Sequence, residues 1–361
     1  MSNKVKVQTL ALREFTENVL TQFLTQKDAE ITAEVLLSAD IRGIESHGVA
    51  RLQRYIKGLK NGTILAKSDP GIIRETPVSI VADGGGGMGQ PVTYKIMEKC
   101  IEKAKTNFMC FASIRNSNHY GIAGFYTKMA LAENLIGFSL TNSAPLVLPT
   151  FSSQAVIGTN PISIGVPTQK HNPFLLDMAT STVPRGKLEV YARKEEEIPD
   201  SWATDENGTP TTDPALVLKN MINRTGGGLL PLGGSGELTG GHKGFGLSAI
   251  VDIFSAVFSS GKVGTDVYGE KGKPAGVCHF VGAINPEAFG GLEAISQNMD
   301  YYIDMLKNSH KAEGRDHIYV AGEKEWQNEA QNEKELHLQD KVFDKLNEIG
   351  KEFGLGLSRL I

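Results

Sequence analysis

The chain has 361 residues and a formal charge of −4, from 37 Lys and Arg against 41 Asp and Glu. With 40% hydrophobic and 22% charged residues it is globular, which excludes a disordered or fibrous chain, and its length suggests roughly two or three domains. The acidic balance offers no field for a polyanion, so neither nucleic acid nor an anionic membrane is expected as a partner.

Leu12, Phe15, Val19, Leu20 and Phe23 fall on one face and predict a helix over 12–24. Thr25 and Asp28 resemble a capping box, followed by a stripe of Ala29, Ala33, Leu36 and Leu37. The stretch IESHGVARLQRYIKGL, residues 44–59, again has helical spacing, and Gly58, Asn61 and Gly62 close this amino-terminal helical unit. Next come a strand over 78–83, the loop GGGGMGQP, a helix over 91–106 with Pro91 in its first turn, and a strand over 108–114. NSNHYG reads as a loop, GFYTKMALAENL as a helix, and 136–142, 162–166 and 174–180 as strands. A charged, turn-rich excursion spans 193–214. KGFGLSAIVDIFSAVF predicts a long, mostly buried helix, a further strand covers 277–284, and the polar last 40 residues carry two short helical patterns. The order implies a mixed α/β layer with a helical amino-terminal unit, while strand direction stays open.

Cys100, Cys110 and Cys278 form an odd set without CxxC spacing, which suits a reducing compartment. The first residues, MSNKVKVQTLALREF, lack the apolar run of a signal peptide, so a cytoplasmic protein is expected. No HExxH, short-spaced Cys/His pair or EF-hand loop occurs, and no metal is expected. Ser235 has no nucleophile elbow around it, which disfavours a serine hydrolase.

Gly84, Gly86 and Gly89 satisfy G-x-G-x-x-G between a strand and a helix, the context of a dinucleotide fingerprint. A run of four glycines matches such a pattern easily, and no acidic residue ends the next strand. Arg115 stands there instead, where it could suit a 2′-phosphate. A plain strand-to-helix turn is the favoured reading.

Ser46, His47 and Arg51 form the first chemical constellation. If 44–59 is helical, His47 and Arg51 are four apart and share a face. That pair suits oxidation of a 2-hydroxy acid, the arginine clamping the carboxylate and the histidine exchanging the hydroxyl proton within its ordinary titration range. A surface basic pair is the alternative. His119, in the loop NSNHYG, is the second candidate, against a turn histidine satisfied by its neighbours. His242 and Lys243, at a glycine-rich helix start, could contact phosphate or ribose, and His279 reads as structural.

Seven ordered segments carry a resemblance: ESHGVARLQRY (45–55), NSNHYG (116–121), TNSAP (141–145), IGTNPISIGVP (157–167), FLLDMATS (174–181), IPDSWATDENGTPTTDP (198–214) and LPLGG with HKGFGL (230–247). Together they resemble the type 2 malate/L-lactate dehydrogenase family over about residues 10–325. The resemblance implies an NAD-dependent oxidoreductase, NADP not being excluded, with a non-Rossmann fold around a mixed sheet, and a homodimer. It implies a helical unit over 1–75 joined in space by about 300–361, with a cofactor-binding unit over 76–299. By analogy His47 or His119 is the acid/base, Arg51 anchors the carboxylate, Ser46 orients the first histidine, and Asp177 belongs to the catalytic set. The segments His119-Tyr120-Gly121-Ile122, Thr159-Asn160-Pro161, Asp177-Met178-Ala179-Thr180-Ser181, His242-Lys243-Gly244 and Gly322-Glu323 look like cofactor contacts. The chain has HKG where the family mostly carries YKG. Malate and oxaloacetate are the expected substrates. L-lactate, ureidoglycolate, sulfolactate or a cyclic imine such as piperideine-2-carboxylate are alternatives, and a non-enzymatic nucleotide-binding protein is the outside reading.

Overall fold

The computed structural model of the protein describes residues 4–360. Strand β1 (Lys4–Gln8) leads into helices α1 (Thr9–Leu20), α2 (Gln26–Ile41) and α3 (Leu52–Asn61). Strands β2 (Gly71–Glu75) and β3 (Ser79–Asp83), helix α4 (Gly89–Asn107), strand β4 (Met109–Ser117) and helix α5 (Ala123–Leu131) follow. Then come β5 (Ile136–Thr141), β6 (Ile162–Val166), β7 (Phe174–Met178), α6 (Arg185–Lys194), β8 (Ala203–Thr204), α7 (Pro214–Asn223), β9 (Gly228–Leu229) and α8 (Gly241–Asp252). The chain closes with β10 (Val277–Ile284), α9 (Leu292–Lys307), α10 (Glu323–Asn332), β11 (Glu335–Gln339) and α11 (Asp340–Lys351).

Seven strands form one mixed sheet in the order β2-β3-β4-β10-β5-β6-β7. Only β3 and β4 run parallel, joined by α4 as their crossover, and every other neighbour pair is antiparallel. This settles the strand direction left open by the sequence. Among the described residues there is no doubly wound parallel sheet, and so no Rossmann setting for the glycine run. One face of the sheet packs under α4 and α5 around Ile80, Val92, Ile96, Met97, Ile114 and Val281. The other carries an aromatic stack in which Phe280 lies 5.4 Å from Phe111 and 5.1 Å from Phe254.

The amino-terminal helices form a second core that the carboxyl-terminal segment completes. β1 pairs antiparallel with β11, and Val5, Leu12, Phe15, Leu36, Leu52 and Tyr55 pack with Leu336, Leu338, Phe343 and Leu346. Thr25 caps α2 as expected, its Oγ1 accepting the Asp28 N–H at 3.3 Å. Helix α10 is tied to α2 and α5 by Glu329, which meets buried Arg42 at 2.5 Å and Lys128 at 2.5 Å, while Trp326 lies 4.4 Å under the Arg42 guanidinium.

Two expectations fail. The stretch 44–59 is not one helix: Glu45–His47 and Val49–Arg51 are separate 3₁₀ turns, broken at Gly48 (φ −84°, ψ −153°), before α3 begins. The long helix over 243–258 is not mostly buried. Leu247, Ile250, Ile253, Val257 and Phe258 are all exposed along α8 and its continuation as a π-helical turn. Apolar periodicity reports a face of apolar side chains, and cannot tell a helix buried in the core from one whose apolar face is exposed.

Removing the Glu329 carboxylate leaves Arg42 buried and uncompensated, at a cost of about 3 kcal/mol. Urea unfolding of Glu329→Ala should read this as a lower midpoint with unchanged slope, and a loss below about 0.5 kcal/mol would show that α10 is held by packing alone.

Candidate active site

The two 3₁₀ turns owe their shape to Asp40, at the end of α2. Its Oδ2 accepts the Val49 N–H at 2.7 Å, and a Cβ on Gly48 would fall 1.9 Å from its Oδ1, so only glycine allows the carboxylate to sit there. Burial pushes Asp40 up to about 7, against the Val49 hydrogen bond and with help from Glu45. Glu45 is held from outside by Lys4 at 3.0 Å and Gln339 Nε2 at 3.1 Å, so the strand pair β1–β11 clasps the segment that carries the histidine and arginine.

His47 and Arg51 therefore do not share a helical face. They are nonetheless brought together, because Arg51 Nε donates to the Ser46 carbonyl at 2.6 Å while Ser46 Oγ lies 2.8 Å from His47 Nδ1. The His47 ring stacks on His119 with centroids 5.4 Å apart at 25°. Tyr55 Oη lies 2.7 Å from His119 Nδ1, and the Gly121 N–H donates to the same nitrogen at 3.3 Å. An amide N–H can only donate, so Nδ1 is the acceptor and the neutral His119 ring carries its proton on Nε2.

The glycine run supports this arrangement from behind. The N–H groups of Gly84, Gly85, Gly86, Gly87 and Met88 all donate within the protein, to Arg115 O, Asp83 Oδ1, Asn116 O, Gly84 O and Ser68 Oγ. That leaves no nest of free amides for a pyrophosphate. The loop instead presents the Gly86 and Gly87 carbonyls to Asn118 Nδ2 at 2.8 and 2.9 Å, next to His119. Gly89 is required because a Cβ there would lie 2.2 Å from the Asn118 carbonyl oxygen. Arg115 pairs with Asp83 at 3.0 Å, so it is not a free ligand for a 2′-phosphate.

These groups open on a cleft of about 480 Å³ lined by Ser46, His47, Arg51, His119, Tyr120, Gly121, Thr159 and Pro161 from the expected set. It lies within the size range of small-molecule and cofactor sites. Ser46, Arg51, Pro184, Gly186 and Glu189 also border an adjoining groove of about 690 Å³. Arg54, Thr141, Ser143, Arg185, Glu189 and Tyr268 line the cleft too; Thr141 and Ser143 belong to the segment 141–145 but were given no role from the sequence, and the others were not singled out. Arg54 and Tyr55 stand inside the segment 45–55 and could have been flagged by it. Tyr268, more than two hundred residues away, carried no signal.

The remaining expected residues lie outside the cleft, and some of them are linked to it by backbone hydrogen bonds. The Thr180 N–H donates to the Thr159 carbonyl at 2.9 Å, and Leu232 N–H donates to the Thr180 carbonyl at 2.8 Å. Gly244, in the first turn of α8 with exposed His242 and Lys243, packs against the Leu232 carbonyl. Asn160 (φ +34°) is buried, its Nδ2 donating to Asp252 Oδ2 at 2.9 Å, and Ser181 Oγ donates to the Val183 carbonyl at 2.9 Å. Asp177, flanked by Met178 and Ala179, accepts the Gly124 N–H at 2.8 Å and is pushed up to about 6 by burial; Ile122 caps the same helix α5. Gly322 packs on Leu175 of β7, and Glu323 pairs with Lys307 at 2.7 Å and His317 at 2.9 Å. His279 is buried as expected, stacked 4.5 Å from Tyr120.

The histidines do not keep their ordinary titration range. Burial, followed by the Arg51 and Arg54 guanidinium groups, pushes His47 down to about 4. His119 is held well below the usual range by burial first and then by His47 and the same arginines. Both rings are neutral at pH 7 in the free protein.

A sequence model of the malate/L-lactate dehydrogenase family matches residues 7–347. A malate dehydrogenase of Pyrococcus abyssi is 47% identical, covering 98% of this chain and 96% of its own. An L-sulfolactate dehydrogenase of Methanocaldococcus jannaschii is 38% identical over 95% of this chain and 96% of its own. The crystal structure of a malate dehydrogenase from Entamoeba histolytica superposes with a TM-score of 0.94 at 35% identity, covering 98% of this chain and 99% of that one.

Because the folded Asp40 has a raised pKa, the native state binds a proton that the unfolded chain releases from about pH 4 upward, and this contribution to stability is lost as pH rises to about 7. Asp40→Asn keeps an acceptor for Val49 and removes the titration. Its stability relative to the parent should therefore increase between pH 4 and 7 and level off above, as followed by urea midpoints; a pH-independent difference would contradict the placement of Asp40.

Proposed function

Because the chain belongs to the malate/L-lactate dehydrogenase family, we propose that it transfers hydride between NAD(H) and a small 2-hydroxy or 2-keto acid, with malate and oxaloacetate the favoured pair. The observation that carries this reading is the convergence of Arg51 with two stacked, half-buried imidazoles in one cleft. The malate dehydrogenases at 47% and 44% identity support the choice of acid, and the sulfolactate dehydrogenase supports a related anionic acid as the second choice.

The donor set fits a nicotinamide cofactor. Ser143 and Thr159 hydroxyls, 3.2 Å apart, stand on the cleft wall for the nicotinamide ribose end. The band from Thr159 through Thr180 and Leu232 to the amino terminus of α8, with Lys243 exposed, offers polar and cationic groups to the rest of a dinucleotide. Nicotinamide, when bound, supplies the hydride acceptor or donor; the chain supplies position and protons.

Arg51 holds the carboxylate beside C2 with a planar fork that lysine cannot reproduce. His119, protonated on Nε2 and fixed by Tyr55 and Gly121, donates a hydrogen bond to the substrate oxygen and polarises it. His47, with Ser46 on Nδ1, exchanges the proton at its other nitrogen. In oxidation the neutral His47 is ready at pH 7. In reduction the ring must first be protonated, and the bound acid supplies the negative charge that favours it. The exposed stripe Leu247, Ile250, Ile253, Val257 and Phe258 is the proposed contact surface of a homodimer.

Arg51→Lys should raise KM for the acid about 30-fold while leaving KM for NADH unchanged, read by absorbance in steady state; an unaltered KM for the acid removes Arg51 from this role. His47→Ala should lose about 10³-fold in kcat and regain part of it with added imidazole, whereas His119→Ala should not be rescued. Rescue of the His119 variant alone would reverse the two assignments. Ile250→Asp should sediment as a monomer if the stripe is the dimer contact, and an unchanged sedimentation coefficient would place that contact elsewhere.

A further inference from the structure

Four charged side chains other than histidine line the cleft: Arg51, Arg54, Arg185 and Glu189. Arg185 is satisfied by Glu189 at 3.0 Å. Among the described residues neither Arg51 nor Arg54 has a carboxylate within 4.0 Å, so two guanidinium groups face the same space without an ion-pair partner, Glu189 acting on Arg51 only from farther off. Both line the cleft together with His47 and His119, and Arg51 Nε donates to the carbonyl of Ser46, next to His47, at 2.6 Å. A 2-hydroxy acid with a single carboxylate neutralises only one of them.

Arg54 is held in place. Its Nη2 donates to Tyr268 Oη at 2.7 Å, with the guanidinium 5.5 Å from the centre of the Tyr268 ring. Tyr268 itself sits on left-handed backbone (φ +57°), a conformation costly for an aromatic residue, and is fixed by its N–H to the Ala275 carbonyl at 2.9 Å and by Arg224 on its own carbonyl at 3.3 Å. Arg54 also follows Arg51 by three residues, at the Arg51 cap and first turn of α3, so both side chains can reach one small ligand.

We propose that Arg54, positioned by Tyr268, binds the second anionic group of the substrate and makes the enzyme select dianionic 2-hydroxy and 2-keto acids over monoanionic ones. The clamp accepts a distal carboxylate or sulfonate on the carbon next to C2. This rests on the hydride-transfer reading above, with Arg51 on the carboxylate beside C2. Tyr268 is a positioning residue, and Arg54 a binding residue.

The test compares NADH-dependent reduction of oxaloacetate and pyruvate, which share a reacting centre and differ in the distal charge. The parent should favour oxaloacetate, and Arg54→Gln should lower the ratio of the two kcat/KM values about 100-fold, chiefly through KM for oxaloacetate. Tyr268→Phe, which keeps the ring and frees the guanidinium, should lower the ratio about 10-fold without moving KM for NADH. A parent that reduces both acids equally well, or a ratio unchanged in Arg54→Gln, overturns the clamp and leaves hydride transfer standing. A parent that reduces neither acid overturns the functional reading, and the clamp is then judged by thermal shift: malonate should raise Tm more than acetate in the parent and not in Arg54→Gln, and equal shifts in the parent overturn it.

Discussion

Positive charge that the protein does not neutralise is the constraint around which this cleft is organised. Arg51 and Arg54 stand beside two half-buried imidazoles, and desolvation together with their fields holds both rings neutral. An acid bound against these arginines would offset their repulsion of a charged imidazole and so favour proton uptake. The free protein is thus prepared to oxidise, and the bound keto acid prepares it to reduce.

Holding those groups in register takes support from distant parts of the chain. Asp40 occupies the space a Gly48 side chain would need and fastens the turn at Val49. The glycine loop 84–87 holds Asn118 and thereby the His119 loop, and Gly89 lets the helix start close against it. The pairing of β1 with β11 brings the two ends of the chain onto the same segment through Lys4 and Gln339. The glycines serve close backbone approach, which is why a nucleotide-binding pattern could arise there without a nucleotide.

Much of this was legible in the sequence. Regular elements with strong periodicity, such as α2, α4, β6 and β10, lie close to where their patterns put them. The Ser46, His47, Arg51 and His119 set converges in space as the motifs suggested. What failed did so for reasons of environment. Apolar spacing over 44–59 could not reveal that Asp40 would force a break at Gly48, and the exposed stripe along α8 and its continuation looked like a core because both are apolar. The histidines read as ordinary because charge and burial come from Arg51, Arg54 and the fold rather than from neighbours in sequence. Tyr268 and the Arg185–Glu189 pair of α6 enter the cleft through tertiary structure alone. Helix α6 itself was hidden in a charged stretch that shows no clear apolar face.

Crystallisation with NADH and tartronate, a small dianionic 2-hydroxy acid, tests the central assignment most directly. One carboxylate should lie within about 3 Å of the Arg51 guanidinium, with the hydroxyl at the same range from a ring nitrogen of His47 or His119 and facing the nicotinamide. Tartronate bound outside the cleft, or Arg51 turned away from both histidines in that complex, would contradict the account.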